Sequence, residues 1–250
     1  MNRDKYYQDM KNPYMKDYGV YLNVKSLYSC QKDFENLCNR DELQFQIVHQ
    51  VEELWMKLIV YTLLDISDFI KEKNTTRVLS LFDRVHKTQK LMSSQLSLLH
   101  TMSPKEYQEI RLQLGNGSGQ ESPGFKMILK APSSIWQAFK ESYLDKDKKT
   151  VEYIYHTDYK HCEAYLVAEA LFTFDYLFQS FLREHMLLIY RSIGMKSSSL
   201  KGRSVEMLNG RMETRFFKEL WTVRAKMTDE WGGTYGEKRE AIHTKKEDSL

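Results

Sequence analysis

The sequence predicts an all-α fold, a helical bundle in a single domain, and two observations carry that expectation. Only 11 of the 250 residues are glycine and 4 are proline, too few turn formers for a many-stranded sandwich or barrel. Apolar residues also recur at three-and-four spacing over long stretches, the period of a helix face rather than a strand. No internal repeat and no shift of composition divides the chain. The expected organisation is an N-terminal arm over 1–17, one helical domain over 18–231 and a charged, disordered tail over 232–250.

From Asp41 to about Glu72 the residues Val48, Val51, Trp55, Leu58, Leu63, Ile66 and Ile70 mark the inner stripe of a long amphipathic helix. The stretch from Thr76 to Met102 repeats the pattern through Val78, Phe82, Val85, Met92, Leu96 and Leu99. The polar run Lys71 to Thr75 between them is short enough to make the two helices antiparallel neighbours. Ser103-Pro104-Lys105-Glu106 then reads as a helix start, with Ser at the N-cap, Pro at the first helical position and Glu able to bond back to the cap. That helix carries Tyr107 and Arg111 and stops at the flexible loop Gly115-Asn116-Gly117-Ser118-Gly119. Pro123-Gly124 marks another turn.

Pro132-Ser133-Ser134 is read as the cap of a further helix that reaches about Tyr143, followed by a solvated lysine and aspartate run. The clearest seam comes next, through Ala164, Val167, Leu171, Phe174, Phe178, Phe181, His185 and Leu188. One histidine stands in it where the pattern asks for an apolar residue. Gly194 ends that helix, 197–209 forms a long polar loop, and a last helix is expected over 213–231 with Phe217, Leu220 and Trp221 inward.

The 37 basic and 34 acidic residues leave a formal charge of +3, and no stretch gathers the excess into a patch that would neutralise several phosphates. Nucleic acid is therefore not an expected partner. Cys30, Cys38 and Cys162 stand in no metal-ligand spacing and read as reduced thiols. The opening Met1-Asn2-Arg3-Asp4-Lys5 has no apolar core for a signal peptide. The most apolar region, Ala164 to Ile193, is broken by Asp175, Arg183, Glu184 and His185, short of the roughly 20 uncharged residues a membrane span needs. A cytoplasmic protein without a membrane partner is expected.

For His86, His100, His156, His161 and His243, solvation is the simplest expectation. His185 lies on the inward seam, where an imidazole must find hydrogen-bond partners or ligate something. His49 lies one turn after Phe45, on the flank of its helix stripe. Tyr107 and Arg111 are four apart and share a helix face, and the Arg fork can grip a carboxylate through two parallel hydrogen bonds. Taken singly, these residues have plain structural readings: a satisfied core histidine, or a surface arginine on a tyrosine. Together they are the set that a haem held between helices requires, an axial imidazole on one face and a polar group over the open face. The sequence has no Cys-x-x-Cys or Gly-x-Ser-x-Gly, which leaves zinc sites and hydrolase elbows without support.

The run Asp41-Glu42-Leu43-Gln44-Phe45-Gln46-Ile47-Val48-His49-Gln50-Val51-Glu52-Glu53-Leu54-Trp55-Met56-Lys57-Leu58 strongly resembles the signature of the tryptophan 2,3-dioxygenase family. Tyr18 to Leu22, Met102-Ser103-Pro104 through Tyr107 and Arg111 to Ser118-Gly119, Arg183 to Gly194, and Glu219 to Arg224 resemble the same family, in order along the chain. That family is built from all-helical haem-binding subunits assembled as homotetramers. The resemblance implies that His185 is the proximal ligand of haem b iron and that His49 is the distal histidine facing the substrate's indole N–H, with Phe45 lining the pocket. It implies that Arg111 holds the carboxylate of L-tryptophan or a related aromatic amino acid, with Tyr107 and Ser118 beside it. Tyr18, Tyr21 and Leu22 correspond to a segment that reaches the neighbouring subunit's site. The implied reaction inserts both atoms of O2 across the indole C2–C3 bond and gives N-formylkynurenine. The chain departs from the family after the proximal histidine. A Gly-Thr-Gly-Gly-Thr type loop is replaced by Ser197-Ser198-Ser199-Leu200-Lys201-Gly202, in which Ser199 is the candidate hydroxyl and Lys201 opposes a substrate ammonium. A divergent haem enzyme that inserts one oxygen or uses peroxide on an aromatic amino acid is the alternative that this loop raises.

Overall fold

Wherever the apolar residues keep the helix period, a helix forms. The structure, a computed structural model, describes residues 1–115, 117, 119–157, 160–195 and 214–232. Three short helices open the chain, α1 (Arg3–Lys11), α2 (Asp17–Tyr21) and α3 (Val24–Tyr28). The long α4 (Glu42–Lys71) and α5 (Thr75–Leu99) follow as the antiparallel pair that the short polar connection predicted. Between them the chain reverses through Lys73, which takes a left-handed φ of 55°, and Asn74 caps α5 by accepting from the Arg77 N–H at 3.2 Å. Next come α6 (Pro104–Gln113), α7 (Pro123–Phe139), α8 (Val151–Tyr155), α9 (Glu163–Ile193) and α10 (Lys218–Trp231).

The core is the space between α4, α5, α7 and α9, where α5 packs on both α4 and α9 and α7 packs on α4. Ile66, Ile70, Val78, Leu81, Val167 and Leu171 are wholly buried there. Each such side chain contributes about 1.5 to 3 kcal/mol of transfer free energy, which outweighs the modest intrinsic preference of any one helix. The seam expected on α9 is buried through Ala164, Val167, Leu171, Phe174, Phe178, Phe181 and Leu188.

A buried carboxylate joins α9 to α10. Asp175 is fully enclosed and accepts from the backbone N–H groups of Phe216 and Phe217 at 2.8 and 3.1 Å and from the Trp221 indole at 2.9 Å. Its charge is thereby spread over three donors at the start of a helix, where the dipole also favours it. Further along, Arg224 of α10 pairs with Glu169 of α9 and lies 3.4 Å over the Phe172 ring.

Four expectations need correction. The helix read as starting at Pro132 begins at Pro123, because Ser122 caps it by accepting from the Phe125 N–H at 3.0 Å; Pro132 lies inside it. The turn expected at Pro123-Gly124 is that helix start. The lysine and aspartate run is a 3-10 turn over Asp145–Asp147 that leads into α8, a helix too short to show a period. The last helix begins at Lys218 and not at 213, because the Phe216 and Phe217 N–H groups bond to Asp175. The loop expected over 197–209 and the tail over 233–250 lie outside the described residues. Among the described residues no helix is long and apolar enough to cross a membrane.

Candidate active site

The first turns of α4 and the second half of α9 each bring one histidine to a common space. On α4, the His49 ring stacks over Phe45 with centroids 4.0 Å apart, and its Nδ1 lies 2.7 Å from the Phe45 carbonyl oxygen. A carbonyl can only accept, so Nδ1 carries the proton and Nε2 is left with its lone pair. The residue is exposed by accessible surface, although protein atoms crowd around the ring. That loss of water pushes its pKa below the usual histidine value, against the opposing pull of the Phe45 carbonyl and the Glu53 charge. The shift favours the neutral imidazole.

On α9, His185 stacks parallel to Phe181, with ring centroids 6.1 Å apart and planes 4° apart. Dehydration pushes its pKa down to about 4, and the nearby His49 ring acts in the same direction. The two imidazoles are therefore close enough to feel one another. None of the hydrogen bonds among the described residues involves the His185 ring. A neutral, unpaired imidazole on an apolar seam has a lone pair available for a metal, which is what an axial haem ligand must offer. Among the described residues no group of three or more His, Cys, Asp or Glu could hold a bare metal ion. The donor set fits an iron that arrives in a macrocycle and needs one protein ligand.

The remaining wall comes from α6. Ser103 caps that helix as its sequence predicted, accepting from the Glu106 N–H. Tyr107 sits with its ring 6.3 Å from Phe45, and burial raises its phenol pKa while the Arg111 charge lowers it. Arg111 is half-buried one turn on. Tyr107, Phe45 and His49 are thus linked ring to ring across α6 and α4, with the Arg111 charge felt at Tyr107 and the His185 ring within electrostatic reach of His49.

Two candidate residues, Ser118 and Ser199, lie outside the described residues. Tyr18, Tyr21 and Leu22 are not brought to this chain's own site: Tyr18 and Tyr21 are 77% and 87% exposed, and Leu22 is exposed as well. The segment just after them is anchored instead. Gln31 bonds to Gln50, the Lys32 N–H to Gln46 at 2.9 Å, and the Lys32 ammonium pairs with the buried Glu42, along one edge of α4.

Some neighbours of the site carried no signal of their own in the sequence reading. Gly119 comes close enough to His185 that a Cβ there would stand 3.9 Å from the ring's Cε1. Glu53, one turn after His49, holds Ser122 and Gly124. The i, i+4 spacing of Glu53 from His49 was the available clue. His86 also departs from the expected solvated histidine. It packs on Phe82 and its Nε2 donates to the Ala170 carbonyl at 3.0 Å, with burial holding its pKa down to about 4.

A sequence model of the family described as tryptophan 2,3-dioxygenase matches residues 4–131. The chain is 30% identical to a tryptophan 2,3-dioxygenase of Bacillus cereus (strain ATCC 10987 / NRS 248), over 84% of this chain and 92% of that one. It is 28% identical to one of Rhodococcus jostii (strain RHA1), over 84% and 91%, and 27% identical to one of Myxococcus xanthus (strain DK1622), over 84% and 89%. The helical fold and these similarities agree, and the chain belongs to the tryptophan 2,3-dioxygenase family, a family of dioxygenase enzymes.

Proposed function

We propose that this chain binds haem b between α4 and α9 and uses it with O2 to open the indole C2–C3 bond of L-tryptophan, giving N-formylkynurenine. The observation that carries the reading is the pair of neutral histidines, His185 unpaired and His49 with its Nε2 lone pair free. When bound, ferrous haem supplies the activation of O2. His185 would hold the iron. Phe181, stacked on His185, restricts the rotation of that ring.

His49 presents Nε2 as an acceptor, the group needed to receive a hydrogen bond from the indole N–H and fix the ring's orientation. The tautomer is set by the Phe45 carbonyl, so the same residue that lines the pocket also aims the acceptor. Arg111 would grip the substrate carboxylate through its two-pronged fork, with Ser118 and Ser199 as hydroxyl partners near the amino acid end. Phe45 and Tyr107 supply the apolar wall that keeps water from the reacting ring. In the assembly we propose, a homotetramer, the exposed Tyr18, Tyr21 and Leu22 of one subunit close the site of its neighbour.

Hemin titration followed in the Soret band tests the haem assignment. The unmodified chain should take up one equivalent. His185→Ala should lose that band, while His49→Ala should keep it and slow turnover. Stoichiometric haem uptake by His185→Ala would refute the assignment.

A further inference from the structure

Beyond His49, α4 presents a second functional carboxylate. Glu53 stands one helical turn after His49 and accepts two hydrogen bonds from the start of α7: one from the Ser122 hydroxyl and one from the Gly124 N–H at 2.9 Å. The Ser122 oxygen in turn caps α7 through the Phe125 N–H at 3.0 Å. The contact is tight. A Cβ at Gly124 would stand 2.7 Å from the Glu53 carboxylate and 2.7 Å from the Met56 Cβ, so only glycine lets the two backbones approach this closely.

The same short segment comes close to His185. Three residues before Ser122, Gly119 lies against His185, and just after it Phe125 stacks on Phe178 of α9 with centroids 5.7 Å apart. Residues 119–125 therefore bridge the two helices that carry the two histidines, and Glu53 is the tether on the α4 side.

We infer that Glu53 is a positioning residue for the reaction: by clamping 119–125 to α4 it holds Gly119 against His185 and keeps this wall of the proposed substrate pocket in place. Glu53 acts through this backbone and touches neither haem nor substrate. Release of the clamp leaves the helices packed by their apolar faces, yet lets 119–125 drift from α4 and from His185. This inference rests on the dioxygenase reading of the site.

The test compares Glu53→Ala, Glu53→Gln and the unmodified full-length chain. Amide hydrogen exchange of 119–125 in the haem-free protein should quicken at least tenfold in Glu53→Ala. The KM for tryptophan should rise about tenfold in the haem-loaded enzyme with kcat changed less than threefold. Glu53→Gln keeps an acceptor for the Gly124 N–H and should fall between the other two in both readouts. Unchanged exchange, an unchanged KM, or a Gln variant no better than Ala overturns the inference. Should Glu53→Ala not fold, Gly124→Ala pushes the same segment away by its added Cβ and must give both effects. If the unmodified chain shows no turnover, the dioxygenase reading fails by itself. Hemin affinity then replaces KM, and equal affinity in Glu53→Ala and the unmodified chain overturns the tether.

Discussion

In the site proposed above, Arg111 and the two histidines divide the work, and single substitutions should separate them. Arg111→Ala removes a charge-assisted grip on the carboxylate, a loss of about 2 kcal/mol that should appear as a KM roughly 30-fold higher with haem content unchanged. Steady-state kinetics on the haem-loaded variant decide this, and an unchanged KM would remove Arg111 from the site. Two other buried groups set the response of stability to pH. Glu52 has both carboxylate oxygens enclosed, with the Gln95 amide nearby but no well-formed hydrogen bond to it, and burial raises its pKa from 4.5 to about 7 against the smaller opposing pull of Gln95. Between those values the folded chain holds a proton that the unfolded chain has released. This contribution to stability is full below pH 4.5 and is lost as pH rises to 7. His86 works in the opposite sense. Its pKa falls from 6.5 to about 4, so its contribution is full above pH 6.5 and is lost as pH falls to 4. The two slopes offset one another over the overlap. Glu52→Gln should therefore leave stability nearly unchanged near pH 4.5 and raise it by up to about 3 kcal/mol at pH 8, measured by denaturant titration of the haem-free chain. Equal stability of the two proteins at pH 8 would contradict this.

Asp175 is where an element depends on one side chain, since the start of α10 hangs from its carboxylate by three hydrogen bonds. Asp175→Ala strands two buried backbone N–H groups and the indole donor, and should cost about 3 kcal/mol or more by chemical denaturation. Asparagine, keeping one acceptor oxygen, should cost less. At this level the sequence was informative where a helix was long: α4, α5 and α9 announced themselves by their stripes, and α6 by its Ser-Pro start. The same Ser-Pro start at Ser122-Pro123 went unread because Gly124 and Pro132 argue locally for a turn. Only the Glu53 carboxylate and the Met56 side chain, which come from α4, explain why glycine is needed there. α2, α3 and α8 span five residues each, less than the window in which a period can be seen. For the site, the residue pattern singled out the two histidines, the resemblance supplied their roles, and the comparisons bear out the family. Gly119 went unread because its role is a long-range contact, and Glu53 offered only its i, i+4 spacing from His49. His86 could have been found from its place one turn after Phe82 on the buried stripe of α5.

As a whole, the chain presents an unfinished surface. Tyr14, Tyr18, Val20 and Tyr21 are each more than half exposed at the N-terminal end, while the residues after them are fastened to α4. Apolar residues so displayed favour a contact with another surface. In the tetramer proposed above, that surface is the rim of a neighbour's site. A chain lacking residues 1–22 should bind haem normally yet turn over tryptophan at least tenfold more slowly. Co-expression with Arg111→Ala chains should restore part of the rate, because an intact arm from one subunit then meets an intact Arg111 in the next. Mixed assemblies without recovered activity would show that the arm serves its own subunit or none.

The most direct test is to give L-tryptophan to the anaerobic, haem-loaded ferrous protein, admit air, and weigh the product. A mass gain of two oxygen atoms, with both labelled when 18O2 is used, is the predicted result. No product, or the gain of a single oxygen atom, would contradict cleavage of the indole ring by this pair of histidines and their haem.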